Sequence, residues 1–305
     1  MNDEGAILIT GAGGFVGRAV ATRLQQTGKR LVLLDRSGQA NDNSTAFTEI
    51  ACDICDAEGL RRVFGAQRIT AIIHLAAILP TAAAKNPSQA TQVNVIGSLN
   101  LLEIARAFNV RRFVFGSSLS IYGTCAIDDV VGETHGAAPE DLYGAAKLYV
   151  EQMGKHYNDL YGIQFVSLRI GRVVGVGARS VTSAWRSQIF EVLCESRPVE
   201  IRITYVGTER ILLVHVDDVA KALATLVQAP RLANTVYNGP CESVEVRDLK
   251  ERVEHLNPNV TVSLGTSSAM GNPRLVDWSR FQHEFGIEVL PIFEQLSRSA
   301  GGNAR

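Results

Sequence analysis

Thr10-Gly11-Ala12-Gly13-Gly14-Phe15-Val16-Gly17 joins a short apolar run, Ala6-Ile7-Leu8-Ile9, to residues 15–24, where apolar side chains recur at helical spacing. A strand that ends in glycines and passes straight into a helix is a turn built for an anion. Gly11 permits the tight turn, and Gly14 lets the backbone approach a pyrophosphate at the positive end of the helix. Gly17 lets the helix pack closely on the strand.

Working outward, residues 31–34 form a second buried-strand candidate that ends at Asp35, and residues 46–51 a weaker third. Residues 71–73 and 113–115 supply a fourth and a fifth, and residues 165–170 a sixth. Helical patterns lie between them, clearest at residues 94–108 and 142–160. Strands apolar on both faces and separated by helices predict an α/β fold, a Rossmann-type doubly wound parallel sheet with its ligand crevice at the carboxyl ends of the strands. After Gly171 the rhythm changes: a Gly/Ser/Ala-rich loop at 173–183, a helix at 185–195, strands at 201–205 and 211–214, a helix at 216–227, a strand at 236–238 and a helix at 247–255. This predicts a nucleotide-binding domain over residues 1–171, to which the chain returns around 211–240. Residues 172–210 and 241–305 form a smaller substrate-binding portion, and the small polar tail 297–305 is predicted to fray.

Composition narrows the function. The 305 residues are 46% hydrophobic and 20% charged with a formal net charge of -1, so no basic excess points to nucleic acid or an anionic membrane. The amino terminus lacks the charged-then-apolar pattern of an export signal, and no run approaches a membrane span, so a cytoplasmic protein is expected. Five cysteines, an odd number, fit reduced thiols. Cys52-Asp53-Ile54-Cys55 has C-x-x-C spacing, but no second ligand pair accompanies it, and no metal site is predicted.

Two ends of a site can be read. At the nucleotide end, the Asp35 carboxylate can accept hydrogen bonds from both hydroxyls of an adenosine ribose and repels a 2′-phosphate, which favours NAD. The neighbouring Arg36 can lie on the adenine or take that phosphate instead. At the catalytic end, Tyr143-Gly144-Ala145-Ala146-Lys147 sets a phenol and an ammonium on one helical face. The ammonium is expected to lower the phenol pKa, so that the phenolate can take the proton of a substrate hydroxyl while hydride leaves the same carbon. Ser117-Ser118-Leu119-Ser120 ends the fifth strand and turns hydroxyls towards the crevice.

Taken together, the order of these segments resembles the extended short-chain dehydrogenase/reductase family, which includes the NAD-dependent epimerases and dehydratases. The resemblance runs from Ala6 to Asn238 and rests on Gly11, Gly14 and Gly17, on Ser117 to Gly123, and on Tyr143-x-x-x-Lys147. It implies Ser118, Tyr143 and Lys147 as catalytic residues and NAD as cofactor. Phe15, Val16, Asp53-Ile54, Leu75-Ala76-Ala77 and Ile170 join the glycines, Asp35 and Arg36 around that cofactor. Asn94 is implied as a support of the lysine region beside the cofactor. Leu168-Arg169 and His215-Val216-Asp217-Asp218 are read as structural, the latter as a helix cap.

Where the sequence departs from the pattern it speaks about substrate. Leu119 and Ser120 stand where sugar-nucleotide dehydratases carry an acidic pair, which disfavours that reaction. Arg172 stands where nucleotide-sugar enzymes have a diphosphate-binding Asn, and Arg210 is one residue away from their diphosphate-binding Arg. A guanidinium clamps diphosphate or carboxylate equally. Of Arg172, Arg179, Arg186, Arg202 and Arg210, one or two are expected to touch an anionic substrate, Arg172 first, with Ser118 and Ser120 holding the reacting oxygen. Two enzymatic readings follow. One is an oxidoreductase or epimerase of a sugar-type substrate, a nucleotide sugar first. The other is a dehydrogenase of a small free sugar, sugar acid or hydroxy acid. A non-catalytic NAD(P)-sensing regulator is the third reading, and Ser118, Tyr143 and Lys147 speak against it. The resemblance also implies a homodimer through the helices at 89–108 and 142–161.

Overall fold

A computed structural model describes residues 5–37, 47–126, 129–178 and 184–301. In the amino-terminal half, the strands are β1 (Ala6–Thr10), β2 (Leu31–Asp35), β3 (Phe47–Ala51), β4 (Ile69–His74), β5 (Arg112–Ser118) and the short β6 (Val130–Val131). The helices are α1 (Phe15–Gln25), α2 (Ala57–Ala66), α3 (Pro80–Lys85), α4 (Pro87–Thr91), α5 (Ser98–Ala107) and α6 (Leu142–Tyr161). Beyond them come β7 (Gln164–Ile170), β8 (Arg172–Val174), α7 (Trp185–Glu191), β9 (Val199–Tyr205), β10 (Arg210–His215), α8 (Val216–Gln228) and β11 (Val236–Asn238). The chain ends with β12 (Glu242–Glu245), α9 (Val246–Leu256), β13 (Val260–Ser267), β14 (Leu275–Val276), α10 (Ser279–Phe285) and α11 (Ile292–Gly301).

Seven strands make one sheet in the order β11-β7-β5-β4-β1-β2-β3, and every adjacent pair is parallel. This is the doubly wound parallel sheet read from the sequence. Strand order reverses between β1 and β4, so the crevice opens at the carboxyl ends there. Both faces are covered. Val20 and Leu24 of α1 pack with Val219, Leu223 and Leu226 of α8 on one face. Leu60 of α2, Leu101 and Ala105 of α5 and Val150 of α6 cover the other.

The smaller portion has its own core, in which Trp185, Ile189, Ile201, Ile211, Leu249 and Leu296 meet. The chain re-enters the large layer with α8 and β11, whereas β10 pairs with β8 and β12 in a separate three-stranded sheet. Three predicted elements differ in detail. The helix read at 94–108 opens as a π-helical turn at Gln92–Gly97 before α5, because the Asn94 amide is drawn out to the Ile78 backbone. The helix read at 185–195 is α-helical only to Glu191. The tail does not fray from residue 297: α11 continues to Gly301, held by buried Leu296. The end of the tail, 302–305, and residues 179–183 of the predicted loop lie outside the described residues, as does Ala46.

Candidate functional site

The glycine turn and the Tyr-Lys helix line one crevice of about 810 Å³. At the nucleotide end Gly11 sits at φ 68°, and a Cβ added there would lie 2.7 Å from the Ala76 amide nitrogen. A side chain at Gly17 would meet the Gly11 carbonyl oxygen at 2.2 Å, so both glycines are required by the turn itself. Helix α1 begins at Gly14 with no side-chain cap and no acidic residue in its first turn. Its leading amides are therefore left to an outside anion, which is the fit a pyrophosphate requires. Asp35 closes β2 and accepts from the Gly13 amide at 3.0 Å, which aims one carboxylate oxygen across the turn. Phe15, Val16, Arg36, Asp53, Ile54, Leu75, Ala76, Ala77 and Ile170 all line the same crevice.

Asn94 is the exception among the residues expected around the cofactor. It is buried, its Oδ1 accepts from the Ile78 amide at 2.7 Å and its Nδ2 donates to the Ile78 carbonyl at 2.9 Å. With both ends of its amide taken by backbone, it props the crevice wall at Ile78 and does not itself line the crevice. Its carbonyl accepts from Ser98 Oγ, while Lys147 Nζ donates elsewhere, to the Gly116 carbonyl at 2.6 Å.

At the end of the crevice expected to be catalytic, Asp141 caps α6 by accepting from the Gly144 amide at 2.7 Å, and Tyr143 and Lys147 follow on one face. The Lys147 Nζ lies 5.4 Å from the Tyr143 ring centre. Ser118 ends β5. Its Oγ accepts from the Ser120 amide at 3.2 Å and pairs with Ser120 Oγ at 2.9 Å, and it is hydrogen-bonded to the Tyr143 phenol. The hydroxyls of Ser120, Ser118 and Tyr143 thus form a hydrogen-bonded chain that ends at the crevice.

The expectation that the ammonium lowers the phenol pKa is not met by the chain's own groups. Desolvation pushes the Tyr143 phenol up to about 12, the Asp141 carboxylate adds to the rise, and the Ser118 hydrogen bond only partly offsets it. Burial likewise brings Lys147 down to about 7, against the pull of Glu151 four residues further on. Desolvation wins over the charge pair because Lys147 is buried and the half-buried Tyr143 ring is set into the crevice wall. His74 behind them is fully buried between Thr10 Oγ1 (2.7 Å) and Ser98 Oγ (2.9 Å). Burial, then Lys147, brings its pKa down to about 3, so it stays neutral.

Glu151 is a neighbour of Lys147 that sequence reasoning missed, although its i+4 spacing was visible. It forms a buried ion pair with Arg169 at 2.7 Å. Arg169 Nη1 also donates to the Tyr122 hydroxyl at 2.5 Å, and that hydroxyl donates to Asn238 Oδ1 at 2.8 Å. His215 caps α8 as read, its Nδ1 accepting from the Asp217 amide at 3.3 Å. Among the described residues, no three His, Cys, Asp or Glu side chains are arranged to hold a metal, and no helix is long and apolar enough to cross a membrane.

The arginines divide. Arg172 and Arg186 line the crevice. Arg202 is exposed, and Arg210 is turned outward to Ser243 and Glu245; Arg179 lies outside the described residues. Ser120 also lines the crevice.

Comparison with known proteins agrees with this geometry. The profile of the NAD dependent epimerase/dehydratase family matches residues 7–238. The chain is 28% identical over 270 residues to the UDP-glucuronate 4-epimerase of Thermodesulfobacterium geofontis, spanning 83% of this chain and 80% of that one. It is 27% identical over 269 residues to the mitochondrial L-threonine 3-dehydrogenase of Bos taurus, spanning 86% and 71%. Among solved structures, a GalE-like L-threonine dehydrogenase from Cupriavidus necator superposes with a TM-score of 0.88 at 21% identity, over 98% of this chain and 99% of the other. The Thermus thermophilus UDP-glucose 4-epimerase in complex with NAD gives 0.82 at 24%, over 98% and 100%. These two share the fold. The glycine turn with its uncapped helix, Asp35 across from it and the match over most of the chain lead to one conclusion: the protein is an enzyme of the NAD-dependent epimerase/dehydratase family, of the extended short-chain dehydrogenase/reductase type, and its cofactor is NAD.

Proposed function

We propose that this enzyme transfers hydride at a secondary hydroxyl or ketone of an anionic sugar-type substrate, with Tyr143 as acid/base, Ser118 as the hydrogen-bonding partner of the reacting oxygen and Lys147 as the positioning and electrostatic partner. The observation that carries the reading is the Ser120–Ser118–Tyr143 hydroxyl chain, ending beside Lys147 in the crevice that the glycine turn and Asp35 also line. NAD, when bound, supplies the hydride acceptor and a positively charged ring. The chain's own part is to hold a desolvated phenol against the substrate oxygen and to receive or return its proton. Glu151 helps keep charge on Lys147, and Arg172, 8% exposed, offers its guanidinium to the substrate anion.

A nucleotide sugar is the first substrate class, in keeping with the UDP-sugar epimerase relative. A small hydroxy acid is the second, supported by Arg172, which stands where the resemblance implies a diphosphate-binding Asn, and by a relative of nearly equal identity that is a threonine dehydrogenase. Incubation with NAD and UDP-sugars, or with NAD and L-threonine or sugar acids, separates them. Isomerised sugar without net NADH absorbance supports an epimerase, and stoichiometric NADH supports a dehydrogenase. Absence of both with every anionic substrate class defeats the proposal.

The enzyme is further proposed to form a homodimer through α5 and α6. Phe108, Leu142, Tyr149, Leu160 and Tyr161 leave apolar surface exposed on and beside these helices, which already pack together through Tyr157 and Glu103.

A further inference from the structure

Beyond Arg172, the crevice holds a second cation, Arg186. Arg172 opens β8, Arg186 lies in the first turn of α7, and Tyr205 ends β9. Three separate elements therefore bring two guanidiniums and a phenol together. The Arg172 guanidinium carbon lies 5.8 Å from the Tyr205 ring centre, and the Tyr205 and Trp185 rings meet edge-on at 6.2 Å. The Arg186 guanidinium carbon lies 5.8 Å from the Trp185 ring centre. Arg186 is hydrogen-bonded to Tyr205 and close enough to Arg172 for the two charges to oppose each other.

What these cations lack is an anion. Among the described residues neither has a carboxylate within ion-pair distance. Among the described residues, the side-chain hydrogen bond of Arg172 goes to the Met270 carbonyl, at 3.4 Å. The Nε of Arg186 is sealed from solvent with no hydrogen-bond partner among the described residues. Drawing two like charges out of water side by side without compensation is costly, and a buried N–H donor left unpaired adds to that cost. Structural arginines in the same molecule show the contrast: Arg169 has Glu151 and Arg274 has Glu209. Each pair there sums to zero, whereas the Arg172–Arg186 cluster sums to two positive charges facing a crevice.

We propose that Arg172, Arg186 and Tyr205 together form a receptor for a doubly negative substrate group, and that Arg186 is a specificity-determining residue that selects a dianion over a monoanion. The inference rests on the hydride-transfer reading for the identity of the bound molecule as substrate, but the anion site can be tested apart from it. Two chemistries satisfy it, a diphosphate ester and a dicarboxylate, which share two adjacent anionic centres able to bridge two guanidiniums.

The test uses the full-length protein saturated with NAD, so that the pyrophosphate cradle at the glycine turn is filled. It is titrated calorimetrically at constant ionic strength with inorganic pyrophosphate, malonate and acetate. Pyrophosphate or malonate, or both, should bind at least about tenfold more tightly than acetate. Preference for pyrophosphate identifies a diphosphate-type substrate and preference for malonate a dicarboxylate. Arg186→Gln should weaken the preferred dianion by about tenfold or more while NAD affinity stays the same, and Arg186→Lys, which keeps the charge, should recover part of the loss. Arg202→Gln, on the exposed face, should change nothing. Equal binding of acetate and the dianions, or unaltered dianion binding in Arg186→Gln, overturns the proposal. Tyr143→Phe separates the two readings: it should abolish turnover yet leave dianion binding intact, so failure of the catalytic reading and failure of the anion site give different results.

Discussion

Tyr143 lies in the crevice wall, and its phenol, held up to about 12 by desolvation, cannot act as a base near neutral pH without further positive charge close by. Replacing it with Phe keeps the packing and removes the proton. Turnover should fall by about 10²- to 10⁴-fold, with NAD affinity unchanged, as measured by steady-state kinetics and fluorescence titration. A variant with wild-type turnover shows that the proton goes elsewhere. At the other end of the crevice, Asp35→Ser removes a carboxylate that opposes a 2′-phosphate and leaves Arg36 to welcome one. The ratio of NAD to NADP affinity should drop by about tenfold, equivalent to ~1.4 kcal/mol. An unaltered ratio shows that Asp35 does not read the ribose. The convergence of Gly11, Asp35, Tyr143 and Lys147 on one crevice was legible in the sequence because their placement is written in local spacing, whereas Ser118 was singled out by the family resemblance. Arg186 was only one of five arginines there, and Tyr205 carried no local signal. Their meaning arises when α7 and β9 fold against β8.

At the scale of elements, α6 sets three chemical groups at successive i+4 positions, Tyr143, Lys147 and Glu151, and the last is tied to β7 through Arg169. The ion pair also reaches Tyr122 and Asn238, so it fastens α6, β7 and β11 at the edge of the crevice. Arg169→Met should cost about 3–5 kcal/mol in denaturant unfolding, because Glu151 is then left charged and buried. Combining it with Glu151→Leu should recover most of that loss. A double variant no more stable than Arg169→Met alone argues that the pair's role is packing and not charge. The strands were legible as elements because both faces are apolar. Edge strand β3, half exposed, gave the weakest pattern, and the π-helical turn was hidden because Asn94 answers to Ile78 and not to its neighbours in sequence.

For the molecule as a whole, His74 ties β4 to β1 and α5 while remaining neutral in the core. Its pKa is lowered from 6.5 to about 3 on folding. Between those values the unfolded chain binds a proton that the folded chain refuses, so stability falls as pH drops through that window by roughly 1.4 kcal/mol per pH unit. His74→Gln keeps hydrogen-bonding capacity and removes this proton. Its stability relative to wild type should therefore improve steadily from pH 6.5 towards pH 3, measured by chemical denaturation. Parallel pH profiles for the two proteins refute the assignment. Likewise, Tyr149→Glu or Leu160→Glu, placed on the exposed face of α6, should convert the proposed dimer to monomer in analytical ultracentrifugation. A wild-type protein that sediments as a monomer at micromolar concentration removes that proposal.

In the proposed reaction the Tyr143 phenol, at the reacting end of the cofactor crevice, becomes a usable acid/base. Ultraviolet difference titration of phenolate, wild type minus Tyr143→Phe, reads this one side chain without any substrate. The midpoint should be high in the cofactor-free protein and move to clearly lower pH when NAD saturates the crevice. A midpoint that NAD does not move would contradict it.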